Sequence, residues 1–321
     1  MTNKKVLISS LIAIIIIAAV GVVVLQQTTP QNTNDQKNTI SVIDDIGKNI
    51  TLTDYPIRIV SLAPSATEAI LGLDLGDRLI GTANYTGYSQ AVKNTIAEKN
   101  ITVVGTFNKI NVEVVIGLQP DLIIASGTYQ QTLAAKFEEQ GKIVIFTNPK
   151  NFTGILSAIT MIGKATGQED KAAVIVNEMN NKAQEISEKV NGLGTPSVYV
   201  EYYLDQMGFS CYGANSYVNE LISIAGGVNV FANSDSQYVS TNTEEVINAN
   251  PSIIVISKGV MSSLVGITPE SMQARDGWGN IEAVQEGKIF EIDESLLTIW
   301  GPRIMEGLEE LAEVIHPEAF N

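Results

Sequence analysis

Gln168-Glu169-Asp170-Lys171-Ala172-Ala173-Val174-Ile175-Val176-Asn177-Glu178-Met179-Asn180-Asn181-Lys182-Ala183-Gln184-Glu185-Ile186-Ser187-Glu188-Lys189-Val190 contains neither Pro nor Gly. As an α-helix rising 1.5 Å per residue it spans roughly 35 Å, long for a small α/β lobe. Gly167 precedes it, and Asn191-Gly192-Leu193-Gly194-Thr195-Pro196 follows as a stop signal. Outward on both sides, short apolar strands alternate with short helices. The first side opens with a hairpin expected over Ser41 to Leu52, around Asp45-Ile46-Gly47-Lys48. The buried-strand run Ile57-Arg58-Ile59-Val60-Ser61-Leu62 comes next, then a helix start at Pro64-Ser65-Ala66-Thr67-Glu68. There Ser65 and Glu68 have the spacing of a capping box. Further strands are expected at Leu79–Gly81, Asp121–Ala125 and Ile143–Phe146. After the long helix the pattern restarts at Ser197-Val198-Tyr199-Val200-Glu201-Tyr202-Tyr203. This alternation predicts parallel sheets with helices on their faces. The chain reads as α/β: a lobe over 40–167, a bridging helix over 168–191 and a second lobe over 192–321.

The two lobes carry a weak internal repeat. Glu113-Val114-Val115-Ile116-Gly117-Leu118-Gln119-Pro120-Asp121-Leu122-Ile123-Ile124 is matched by Glu244-Glu245-Val246-Ile247-Asn248-Ala249-Asn250-Pro251-Ser252-Ile253-Ile254-Val255. In each, an acid lies seven residues before a Pro, and an apolar strand follows. An acidic first turn complements the helix dipole, which alone would explain Glu113 and Glu244. Their recurrence at one place in both halves points beyond that.

The N-terminus carries a second signal. Lys4 and Lys5 precede Val6 to Leu25, a run without a charge. It is long enough to cross a hydrocarbon core of about 30 Å as a helix. The lysines should stay cytoplasmic, which puts the rest outside. The exit Val24-Leu25-Gln26-Gln27 lacks the small-x-small site of a cleaved signal peptide, so a retained transmembrane helix over 1–25 is expected. Residues 26–39, rich in Gln, Thr and Asn, should form a flexible tether. Sequons at Asn49, Asn84, Asn100 and Asn151 fit an outside location.

Composition narrows the function. The 321 residues carry a net charge of −15 with no basic cluster, which argues against nucleic acid. The single cysteine, Cys211, and single histidine, His316, cannot build a zinc site. Nor can they assemble a nucleophile, base and orienter, so an enzyme is not expected. His316 is read as structural or solvent-facing. Ala225-Gly226-Gly227 ends a helix instead of opening one, so it is no phosphate cradle.

Three stretches in the first half carry a resemblance: Arg58-Ile59-Val60-Ser61-Leu62-Ala63-Pro64-Ser65-Ala66-Thr67-Glu68, Asn84-Tyr85-Thr86-Gly87-Tyr88 and Gln119-Pro120-Asp121-Leu122-Ile123-Ile124. The second half adds Gly213-Ala214-Asn215-Ser216-Tyr217-Val218-Asn219-Glu220-Leu221 and Ala225-Gly226-Gly227-Val228-Asn229-Val230-Phe231. Together they resemble the ABC-importer substrate-binding proteins for cobalamin, haem and ferric siderophores, and the cobalamin members above all. The resemblance covers roughly residues 40 to 321. It implies two Rossmann-like lobes bridged by one rigid helix, with a small-molecule ligand held between them and no cofactor. In that family one surface glutamate on each lobe docks onto arginines of the membrane permease, and the matching positions are Glu113 and Glu244. The partners it implies are the permease and its ATPase subunits, with the carrier a monomer. Glu68 and Glu220 are kept as helix-capping acids.

For the cleft, the resemblance points to Tyr85, its neighbour Tyr88, Phe107 six residues before Glu113, Tyr238 six before Glu244, and Trp300. Aromatic faces suit a large flat macrocycle. Arg303 is one of only four arginines. It could clamp a carboxylate or catecholate, cap a helix or pair with Glu306. One obvious pocket cation favours a nearly neutral ligand such as cobalamin or another corrinoid over a ferric siderophore or haem. Lys109, Lys150 and Lys258 have no position assignable from sequence. A surface sensor domain without a transporter is the remaining alternative. A permease and ATPase encoded beside the gene would count against it.

Overall fold

The computed structural model describes residues 39–205 and 208–320. The expected membrane helix over 1–25, and the tether up to residue 38, lie outside the described residues. Among the described residues no helix is long and apolar enough to cross a membrane. The described residues open with an antiparallel hairpin, β1 (Ile40–Ile43) and β2 (Asn49–Leu52), closed by Gly47 at φ 80°.

The first lobe follows as β3 (Ile59–Ser61), α1 (Pro64–Gly72), β4 (Leu79–Asn84), α2 (Gln90–Glu98), β5 (Thr102–Thr106), β6 (Lys109–Ile110), α3 (Val112–Gly117), β7 (Leu122–Ser126), α4 (Gln131–Glu139), β8 (Val144–Thr147) and α5 (Phe152–Thr166). Its sheet has the order β6-β5-β4-β3-β7-β8, and only the short β6 runs antiparallel to its neighbour. The long helix α6 (Glu169–Val190) leads to the second lobe. There come β9 (Ser197–Asp205), β10 (Gly208–Tyr212), α7 (Tyr217–Ile224), β11 (Val228–Asn229), β12 (Tyr238–Thr241), α8 (Thr243–Ala249), β13 (Ile253–Lys258), α9 (Val260–Leu264), α10 (Pro269–Gln273), α11 (Glu282–Gln285), β14 (Ile289–Asp293), α12 (Glu294–Thr298) and α13 (Ile304–Ile315).

The second sheet differs from the parallel one expected. Its order is β12-β10-β9-β13-β14, with β10 antiparallel to both β9 and β12. Only two residues separate β9 from β10. A parallel crossover needs a dozen or more, so these neighbours can pair only antiparallel.

Helix α6 buries Ala172, Ile175, Met179, Ala183, Ile186 and Val190, steps of three and four that line one face. Glu169 and Asp170 at its start and Lys189 at its end suit its dipole. Helix α5 packs against it at Gly163, where an added Cβ would come within 2.5 Å of the Ala172 Cβ. That stripe belongs to a core that runs through both lobes. It takes Ile59, Leu122, Ile124 and Ile145 from the first sheet, and Val198, Val200, Ile253 and Val255 from the second. The alternate residues of the same strands face outward cores: Val60, Ile123 and Phe146 in the first lobe, Tyr199, Ile254 and Ile256 in the second. Period-two alternation thus gives each sheet one face toward the other lobe and one toward its own outer helices.

The sequence repeat is a repeat in structure. Helices α3 and α8 are capped by Asn111 and Asn242, whose side chains accept from Val114 N and Glu245 N. Each helix is followed by a left-handed residue, Gln119 (φ 51°) or Asn250 (φ 43°), and then Pro. The next residue pins the first strand region of its lobe. Asp121 accepts from Ile57 N and Arg58 N at 2.9 and 3.0 Å, and Ser252 Oγ accepts from Ser197 N at 3.0 Å.

Two capping assignments are corrected. Helix α1 starts behind Ala63 with Pro64 in its first turn and no side-chain cap, so Ser65 and Glu68 form no capping box. Pro supplies no N–H to be capped and presets φ, which moves the helix start one residue ahead of Ser65. Glu220 lies in the first turn of α7 but accepts from Phe152 N, at the start of α5. His316 is structural: it is 2% exposed, with Nε2 3.3 Å from Gly226 O and Nδ1 3.3 Å from a Glu318 oxygen.

Candidate functional site

The lobes meet where β4, β7 and β8 end in the first and where α12, the 299–303 turn and the start of β12 lie in the second. Tyr85, just past β4, donates its hydroxyl to Glu294 Oε1 at 3.4 Å. Trp300 donates Nε1–H to Ser126 Oγ at 3.3 Å. Arg303 Nη1 lies 2.9 Å from Glu68 Oε1, and Lys150 Nζ lies 2.6 Å from Gln237 Oε1.

Tyrosines dominate this junction. Tyr85 meets Tyr88 edge-on at 5.4 Å between ring centroids. On the second lobe Tyr202, Tyr212 and Tyr238 form a triangle with centroids 5.0, 5.5 and 5.9 Å apart. Such separations suit attractive edge and tilted ring packing. Tyr217 donates to Thr298 O at 2.6 Å and lies close enough to Tyr85 and Tyr238 to be influenced by their charge. Phe107 pairs with the exposed Tyr129 at 6.2 Å. A cavity of about 420 Å³ is lined in part by Tyr85, Tyr88, Thr82 and Lys93. A larger groove of about 810 Å³ lies away from the junction, between the β1–β2 hairpin, α5 and α6, and touches none of these aromatic residues.

The residues named from sequence have distinct surroundings. Tyr85 and Phe107 are half-buried, and Tyr238 keeps 53% of its surface open. Tyr88 is 3% exposed and donates its hydroxyl to Ala83 O, so it supports Tyr85 from below. Trp300 is likewise 3% exposed and is part of the shared core. Arg303 is held by Glu68 and, at 3.6 Å, by Glu306. In this structure its charge is thus paired with two carboxylates. Burial is the largest influence on Glu68 and pushes its carboxyl up from the ordinary range, while Arg303 pulls the other way. The second oxygen of Glu68 is buried without a hydrogen-bond partner. Glu113 and Glu244 both stand exposed at the second position of their helices, α3 and α8.

Tyr202, Tyr212, Tyr217 and Lys150 were missed from sequence. A signal for Tyr202 was available: it follows Val198 and Val200 on the sheet face that looks toward the other lobe. Lys150 had none. Among the described residues no group of three or more His, Cys, Asp or Glu is placed to hold a metal ion.

Burial pushes the hydroxyls of Tyr85, Tyr199, Tyr212 and Tyr217 above the ordinary phenol range, and that of Tyr88 up to about 12. The unfolded chain ionises its tyrosines near pH 10. Each raised group therefore stabilises the fold fully below that pH, and its contribution fades as the pH climbs toward the raised value. Alkaline titration followed by phenolate absorbance and circular dichroism should show at most five of the ten tyrosines ionised before the fold is lost. More than five phenolates in a still-native protein would contradict this burial.

Two α/β lobes joined by one long helix, with an aromatic junction between them, have the architecture of a two-lobe binding protein. Comparison with known proteins agrees. The family model described as periplasmic binding protein matches residues 59–296. The ABC transporter substrate-binding lipoprotein YvrC of Bacillus subtilis (strain 168) is 32% identical over 288 residues, covering 88% of this chain and 87% of that protein. A cobalamin-binding protein of Halobacterium salinarum (strain ATCC 29341 / DSM 671 / R1) is 27% identical over 271 residues, 83% of this chain and 71% of that one. The crystal structure of a periplasmic binding protein from Veillonella parvula DSM 2008 superposes with a TM-score of 0.75 at 21% identity, covering 87% of this chain and 98% of that one. The chain belongs to the periplasmic binding protein family, as the substrate-binding, non-enzymatic component of an ABC importer.

Proposed function

We propose that this protein captures cobalamin or a related corrinoid between its lobes and delivers it to a membrane permease. The tyrosine-rich junction carries the reading. Tyr85 on one side and Tyr202 and Tyr238 on the other, backed by the buried Tyr212, offer rings that bury a large flat ligand at low entropic cost. The Halobacterium salinarum relative, named for cobalamin, supports the ligand class. Tyr85, Tyr88, Phe107, Tyr238 and Trp300 are proposed to contact or shape the bound molecule, with Tyr88 and Trp300 acting from behind. The two exposed acids at equivalent helix starts, Glu113 and Glu244, are proposed to dock on basic residues of the permease, whose ATPase subunits drive transport. The carrier works outside the cell membrane, held there by residues 1–25. The lipoprotein name of the Bacillus subtilis relative supports extracytoplasmic attachment. The apolar segment Val6 to Leu25 is proposed to make that attachment, since Cys211 is buried in the second lobe.

Calorimetric titration of the full chain in mild detergent with cobalamin, cobinamide, haem and a panel of ferric siderophores tests the ligand. Corrinoids should bind at least tenfold more tightly than the rest, a difference of about 1.4 kcal/mol or more. Binding of a siderophore or haem alone would overturn the corrinoid reading and favour an iron importer.

A further inference from the structure

Many of the lysines are paired with carboxylates, among them Lys99 with Asp77, Lys182 with Glu309, Lys189 with Glu185 and Lys258 with Glu291. Lys150 differs. Its ammonium donates to two neutral amide oxygens, Asn148 Oδ1 at 3.1 Å and Gln237 Oε1 at 2.6 Å. The carboxylate that acts on it electrostatically is Asp45, one of whose oxygens accepts from Asn148 N. Lys150 is half-buried at the end of β8, and its Gln237 partner belongs to the other lobe. Gln237 directly precedes Tyr238, a corner of the tyrosine triangle. Burial lowers the affinity of this amine for its proton, as expected for an ammonium with reduced hydration.

An ammonium has three donors, and two are engaged here. Lys150 is thus a half-buried cation at the lobe junction whose hydrogen-bond partners are both neutral oxygens. Arg303, by contrast, is paired with the Glu68 carboxylate.

We propose that Lys150 recognises an anionic oxygen group on the ligand, a phosphodiester or a carboxylate, at the edge of the tyrosine face. This rests on the reading that the ligand sits between the lobes. A ligand lying against Tyr238 meets the third donor of Lys150 and competes with the Gln237 amide for the one beside it. The charged hydrogen bond then selects among macrocycles that the rings alone would accept equally. Cobalamin offers a phosphodiester and haem offers carboxylates, whereas cobinamide lacks the phosphodiester.

The test compares the full-length wild type with Lys150→Gln and Lys150→Arg by calorimetry at low and moderate salt, with thermal melts confirming equal folding. Lys150→Gln should weaken cobalamin binding about tenfold or more, the scale of a charged hydrogen bond, and flatten its salt dependence. Lys150→Arg should restore most of the affinity, and cobinamide binding should change little in any variant. Unchanged cobalamin affinity in Lys150→Gln, or an equal loss for cobinamide, would show that Lys150 only ties the lobes together. Wild-type binding of haem without corrinoids would sink the corrinoid reading, and the role of Lys150 would then stand or fall on the loss of haem affinity in Lys150→Gln. Wild-type protein that binds none of these molecules overturns both.

Discussion

Cells carrying Glu113→Ala/Glu244→Ala should lose ligand uptake by more than tenfold, while the purified double variant binds ligand as tightly as the wild type. Both carboxylates stand exposed at the second position of a short helix, within its first turn. Among the described residues neither forms an ion pair, so nothing within the lobes consumes their charge. The helices do not depend on them. Asn111 caps α3, and Asn242 with Glu245 forms a capping box on α8. Removing each acid should therefore cost only a few tenths to about 1 kcal/mol of dipole stabilisation. Across an interface, close charge pairs couple by about 1.5 to 7 kcal/mol and also guide the encounter. If both acids dock on the permease as proposed, two such pairs acting together would give a large loss of uptake from two small changes. Each single substitution should fall between wild type and double. Uptake that survives the double substitution would sink the docking assignment.

Arg275→Ala should produce the largest loss of stability. Arg275 grips Glu201 with two hydrogen bonds, at 2.8 and 2.7 Å, and Glu201 is fully buried. The guanidinium lies 4.2 Å from the Phe209 ring centroid and 4.5 Å from that of Trp278. Tyr199 completes the network by donating its hydroxyl to Glu201 Oε2 at 2.8 Å. Removing the arginine leaves a buried carboxylate uncompensated, which costs about 3–5 kcal/mol. It also removes two cation–ring contacts. At about 2–4 °C per kcal/mol for a protein of this size, the melting temperature should fall by roughly 6–20 °C. The paired change Arg275→Met/Glu201→Met should restore much of the loss, because it removes both charges together. The half-exposed pair Lys182–Glu309, at 30% and 38% side-chain exposure, supplies the control, and Lys182→Ala should cost less than about 1 kcal/mol. Equal effects of Arg275→Ala and Lys182→Ala in urea or thermal unfolding would contradict this account.

The buried network also illustrates where sequence reading stops. Glu201 and Tyr199 are visible as alternate residues of one strand, but the pairing of Glu201 with Arg275 spans 74 residues. Ser65 and Glu68 matched a local capping pattern, yet Glu68 turns instead to Arg303, 235 residues away. Tyr85 reaches Glu294 across 209 residues, and Lys150 reaches Gln237 across 87. Arg303 stood out in the sequence because arginines are few. The geometry shows it occupied, and leaves Lys150 as the cation at the junction held by neutral groups.

By itself the sequence determined the strand–helix alternation, the long uninterrupted helix with its stops, and the repeated acid and Pro of the two lobes. These depend on propensity, capping and periodicity, which act over about four residues along the chain. Only the tertiary structure decided that β10 runs antiparallel, which tyrosines share the junction, and which charges are already answered. Those outcomes depend on groups brought together by packing of the two sheets against one core, and no spacing rule along the chain encodes such partners.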